Sequence, residues 1–554
     1  MRGIRSVAGV MVMALCAWPA LAQVTVLSAA RIDTMDPARP RAGAMAFDAE
    51  GRILALGTLA ELRRAHPGAT HVDLGDATIV PGLIDAHGHM SGLGMSHLTA
   101  DLVGTASKAE IIERLRTFAR ELPDGAWLVG RGWDQNDWPE QAFPTAADLD
   151  AAFPDRPVWL DRIDGHAGWA NSAAMRAVAR ELSGDWQPDG GRIVRDGNGQ
   201  PTGLFVDAAA TLVSAVIPAA DDAAIERALT LAMADAVAHG LTGVHDAGVS
   251  LKEMRVYQRL ADRGAMPMRI TAMADGDSAA LAWLCSNGLY QHPSQRLKMR
   301  TVKLYVDGAL GSRGAALLED YRDDPGNRGL LMMTPAQADA VVRKARDCGV
   351  QVATHAIGDR GNRVVLEAYA DALGDNAGSD HRWRIEHAQV LSMEDLPRLA
   401  AMHVIASMQP THATSDMPWA EERLGAGRID GAYAWRKLRD SGARLALGSD
   451  FPVESVDPRL GLYAAATRTD AQGMPRGGWH PEDKLTPYEA LRGFTLDAAW
   501  AGFAEDLVGS LAPGKRADFV VLAQDPLAIE PAALRALTIL STWVDGKPVY
   551  QAPK

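Results

Sequence analysis

Eight short apolar runs, separated by helical segments along the middle of the chain, constrain this fold more than any other feature. They fall at 78–85, 242–246, 268–273, 301–306, 350–355, 382–387, 403–408 and 444–450. Segments of helical periodicity, such as 223–238, 335–348 and 393–402, lie between them. Strand and helix in alternation argue for a parallel α/β architecture. Eight such strands are what a (β/α)8 TIM barrel requires. The gap between the first run and the second is too long for one βα unit, so residues from about 91 to 220 read as an insertion. It carries Trp127, Trp133, Trp138, Trp159, Trp169 and Trp186, which read as packing residues with one wall of an apolar pocket as the alternative.

Both ends differ from the middle. Residues 23–80 and 506–554 read as short strands and turns, with a short helix at 59–65. They suggest a composite β-sandwich assembled from both termini, flanking a barrel over 81–505. The 554 residues are 47% hydrophobic and 23% charged, enough apolar material for such a core. The net charge is −13 with no basic block, which makes nucleic acid or an anionic membrane a poor partner.

Residues 1–22 have a short basic start (Arg2, Arg5), an apolar stretch and Ala20-Leu21-Ala22 as a small-x-small cleavage site. This predicts a secretory signal peptide, a periplasmic or secreted enzyme, and no stable membrane anchor after cleavage. Cys285 and Cys348 would remain. Buried free thiols are the default reading, although export permits a disulfide. An oligomer is compatible with the sequence.

The polar residues fall at telling places. His87 and His89 close the first run, and their i, i+2 spacing lets both imidazoles face one point. Lys303 lies inside the apolar fourth run, while His355, His387 and Asp450 end the fifth, sixth and eighth. Each alone has a bland reading: a structural ion pair, a core histidine, a helix cap. In a closed barrel, however, the C-terminal ends of all strands meet at one mouth. His166, His245, Arg313 and His412 are further candidates for substrate contact, with core or surface roles about as well supported. Two motifs are rejected. Gly509 to Lys515 mimics a phosphate-binding loop, but Arg516 replaces the required Ser or Thr and a strand follows instead of a helix. Gly92-x-Gly94 lacks its third glycine, since His97 stands there.

The ordered set His87, His89, Lys303, His355, His387 and Asp450 resembles the metal-dependent amidohydrolase superfamily. The phrases VPGLIDAHGH, VKLYVDGALGSR, THAIGD, RIEHAQ, GSDFPV and GSLAPGKRADFVVL are similar to its amidohydrolase family 3 branch. The resemblance implies a barrel with a composite sandwich and two divalent metals. His87, His89 and Asp450 would hold one and His355 and His387 the other, with Lys303 bridging both as a carbamate. Zinc is the metal such ligands suit best; iron, manganese or a single-metal site stay open. The activity implied is hydrolysis of a non-peptide C–N bond by metal-activated hydroxide, with Asp450 as general base. Ester or lactone hydrolysis on the same site is one alternative. A non-catalytic binding protein on a degenerate barrel is the other.

Overall fold

The structure is a computed structural model that describes residues 24–553, save 121 and 124. Residues 1–22, expected to be a signal peptide, therefore lie outside the described residues. Eight parallel strands form the barrel: β1 (Leu83–Gly88), β2 (Leu241–Val249), β3 (Arg269–Asp275), β4 (Leu297–Tyr305), β5 (Gln351–Ala356), β6 (Arg384–His387), β7 (Ile405–Met408) and β8 (Leu445–Leu447). Each pairs with the next from β1 to β8. The seam between β8 and β1 is closed by individual bonds beyond the end of β8. Asp450 N–H donates to His87 O at 2.7 Å, and the Ser449 hydroxyl donates to Asp85 at 2.7 Å.

The strand expected at 78–85 is two strands. Thr78–Pro81 belongs to a second sheet and Leu83–Gly88 to the barrel. Gly82 is the joint. A Cβ there would lie 2.1 Å from Thr242 Oγ1, so only glycine lets the chain pass β2 that closely. The last run is also shorter than expected, since β8 ends at Leu447 and leaves Asp450 on the following turn.

The second sheet has eight strands drawn from both termini. Thr78–Pro81 sits between Thr25–Asp33 and Phe519–Leu522, so the two chain ends meet side by side. Leu27, Met45, Phe47, Ile79, Phe519 and Val521 are buried together on it. The glycine-rich stretch before Lys515 is a turn of this sheet, where Gly514 N–H donates to Ile53 O at 2.8 Å.

The insertion carries its own six-stranded sheet, with Ala100–Asp101 at one edge and Gly191–Arg195 at the other. Trp133, Trp138 and Trp169 pack against one another in tilted and edge-to-face pairs at ring separations of 5.9–6.5 Å and are fully buried. Cys285 and Cys348 are not free thiols. They form a disulfide between the helix Ala279–Asn287 and the end of the helix Pro335–Asp347. The barrel's order places these helices after β3 and β4, hence side by side, which spacing along the sequence alone does not reveal.

Candidate metal centre

The C-terminal ends of the barrel strands open into a cleft of about 1590 Å³, larger than the roughly 300–1,000 Å³ of most small-ligand sites. The insertion forms one wall through Arg131, Trp159 and His166, and the loop after β8 forms another. Arg131 joins the two walls, donating to Ile163 O at 2.6 Å and to Pro452 O.

His89, Lys303, His355, His387, His412 and Asp450 line this cleft, and His87 lies beneath it, fully buried. Three imidazoles are held by their Nδ1–H. His87 donates to Glu386, His89 to Ala247 O at 2.9 Å, and His387 to Gln409 Oε1 at 2.8 Å. Each bond places the ring proton on Nδ1 and leaves Nε2 as the nitrogen with a lone pair, which is how a histidine is readied as a metal ligand. His87 Nε2 and His89 Nε2 stand 3.4 and 3.0 Å from Asp450 Oδ1. Among the described residues, the donor atoms of His87, His387 and Asp450 all lie within 4.8 Å of one another. The His355 and His387 rings meet edge to face at 4.6 Å. His355 Nε2 is buried without a hydrogen-bond partner. Imidazole nitrogens together with a carboxylate suit a divalent metal of the zinc type.

The charges are arranged to match. Burial alone would push the Asp450 carboxyl up, but His87, His89 and His387 hold it well below the usual carboxylate range. Burial drives His87 down to about 4, and it drives His355 and His387 well below the ordinary imidazole value. Burial also lowers Lys303 to about 8, against the pull of Glu386 and Asp450. Its Nζ donates to His87 Nε2 at 3.0 Å.

The other candidates separate. His166 faces His355 at 5.1 Å and donates to Asp207 at 2.8 Å. Burial opposes its charge, yet the Asp207, Asp164 and Asp307 carboxylates together outweigh burial and raise it to about 9. His412 Nε2 is buried, unpartnered and 3.7 Å from Asp450 Oδ2. Two residues do not line the cleft. Arg313 pairs with Asp323 at 2.8 Å. His245 points to the opposite end of the barrel and accepts from Arg384 at 2.8 Å. His245 was expected at a strand end and Arg313 just past a turn, but side-chain direction decides what each one meets. Glu386, Arg384 and Asp85 were not among the sequence candidates. A charged residue inside a buried strand was the available signal for each.

Comparison with known proteins agrees with this geometry. The amidohydrolase family model matches residues 70–550. A Bacillus subtilis protein named as the amidohydrolase YtcJ is 36% identical over 509 residues, covering 91% of this chain and 95% of its own length. The N-substituted formamide deformylase of Arthrobacter pascens is 31% identical over 517 residues, covering 90% of this chain and 94% of its own. The crystal structure of a metal-dependent hydrolase from Pyrococcus horikoshii is 27% identical and superposes with a TM-score of 0.75, covering 92% of this chain and 99% of that one. With a match of this extent over a barrel whose polar residues converge at one mouth, the chain belongs to the amidohydrolase family.

Proposed function

We propose that the protein is an exported hydrolase that uses zinc to cleave a non-peptide, amide-like C–N bond in a small molecule. The observation that carries this reading is the convergence of His87, His89, Lys303, His355, His387 and Asp450 at the cleft floor. The Arthrobacter relative, named for N-substituted formamides, supports the bond type. The disulfide supports an oxidising compartment, in keeping with the signal-like N-terminus.

His87, His89 and Asp450 would hold one metal, and His355 and His387 a second. When bound, such a metal polarises a carbonyl oxygen and lowers the pKa of water to about 7. Lys303 would bridge the two sites once its neutral Nζ has bonded to the carbon of carbon dioxide and released a proton. This step exchanges a buried cation, which would repel metal, for an anion with two oxygen donors. Asp450, ionised at neutral pH, takes a proton from the attacking water at its carboxylate and delivers it to the leaving nitrogen. The walls of the cleft, His166 among them, orient the substrate and narrow the access of bulk water.

Metal analysis tests the reading first. The purified protein should carry between one and two zinc per chain. Less than about one metal per folded chain overturns the two-metal arrangement. His355→Asn should abolish turnover with an unchanged melting temperature. Lys303→Ala should lose activity, with partial rescue by added short carboxylic acids; full activity without rescue refutes the bridge. Formamides, N-acyl amino acids and cyclic amides are the substrates to screen.

A further inference from the structure

His87 is connected to the far end of the barrel by a chain of buried hydrogen bonds. Its Nδ1–H donates to Glu386. Arg384 donates to both oxygens of that carboxylate, from Nε at 2.7 Å and Nη2 at 3.0 Å. Nη2 also donates to Ala86 O at 2.6 Å and to Ser407 Oγ at 2.7 Å, so the guanidinium grips the backbone next to His87 as well as the carboxylate that orients it. Nη1 donates to His245 Nδ1 at 2.8 Å. Glu386, Arg384 and His245 are each at most 2% exposed. His245 ends the chain at a separate cavity of about 400 Å³ at the opposite end of the barrel, shared with Lys298 and Phe503.

The donor chemistry runs in one direction. A guanidinium can only donate, so His245 Nδ1 must accept and the His245 proton resides on Nε2. Arg384, satisfied on that side, keeps Glu386 as an acceptor for His87 Nδ1–H. That bond leaves His87 Nε2 unprotonated, with its lone pair as the ligand position. We infer that His245, Arg384 and Glu386 form a positioning relay, through which the far end of the barrel sets the tautomer and orientation of His87. The inference rests on the reading above that His87 holds a metal. His245 is thus a positioning residue for the metal site, more than 150 positions from His87 in the chain and remote from the cleft.

Partners that orient a metal-ligating histidine typically contribute about 10–100-fold in metal affinity. Zinc affinity of metal-stripped, folded protein, measured by competition with a chelator, is therefore the readout. His245→Leu removes the acceptor and should weaken zinc binding by about 10–100-fold. His245→Gln offers an amide oxygen to Arg384 and should stay near wild type. Gly502→Ala is an independent probe, since its methyl would lie 2.5 Å from His245 Nε2 and must displace the ring. It should weaken zinc binding in the same direction, and it decides the matter if His245→Leu does not fold. Wild-type affinity in folded His245→Leu or in Gly502→Ala overturns the relay while leaving the hydrolase reading intact. A wild-type protein that takes up no zinc overturns the hydrolase reading and the relay with it.

Discussion

His387 and Asp450 reach the barrel axis from left-handed backbone, at φ 72° and 63°. Residues held in such conformations cost about 1–3 kcal/mol each and persist where their surroundings fix them. Here Gln409 fixes the ring of His387, and the Asp450 amide is fixed by His87 O. Asparagine tolerates the same backbone, so Asp450→Asn isolates the charge from the strain. We expect kcat to fall by about 10²–10⁴-fold, the usual weight of a general base, with little change in melting temperature; steady-state kinetics on the zinc-loaded variant checks this. The cleft-floor residues were legible in the sequence because each is a polar residue at the end of an apolar run or, for Lys303, inside one. Glu386 was not, although it stands beside His387. Its role depends on His87, 299 positions earlier, and a charged side chain in a strand does not disclose its partner.

At the scale of elements, strand order was legible because alternation of strand and helix leaves few topologies. The handover at Gly82 was hidden, since 78–85 reads as one continuous apolar run. The disulfide was hidden too, as 63 residues separate its cysteines and only adjacent barrel helices bring them together. Closing a loop of that length contributes about 2–4 kcal/mol. Cys285→Ser/Cys348→Ser should therefore melt several degrees lower than the oxidised protein, and added reductant should bring wild type down to the variant's melting temperature in calorimetry. The tryptophan cluster is the centre of the insertion's core. Trp133→Ala should cost about 3–5 kcal/mol. Because that sheet forms a cleft wall, the variant should show raised KM along with the lower stability.

At the scale of the molecule, the terminal sheet is bound to the barrel through Arg269. This guanidinium at the start of β3 reaches Asp518 at 2.7 Å and Asp545 at 2.6 Å, and Arg296 reaches Asp545 at 2.8 Å. Burial tends to raise the Asp545 carboxyl, but Arg269 and Arg296 hold it below its ordinary value. A carboxyl lowered by folding adds stability above its unfolded pKa of about 4, and that stability is lost as pH falls through the lower folded value. Asp545→Asn should be less stable than wild type by about 1.5–3 kcal/mol at pH 7. The gap should shrink below about pH 4, which denaturant melts at the two pH values would measure.

The strand Thr78–Pro81 has one neighbour from the start of the chain and one from its end. During synthesis its second edge stays bare until residues 519–522 have emerged. Bare strand edges invite pairing with other chains. A product that stops before residue 519 should therefore present an adhesive edge beside the barrel, which pairing with residues 519–522 would cover. Termination before residue 519 should yield aggregates or protease substrates instead of a shortened folded protein.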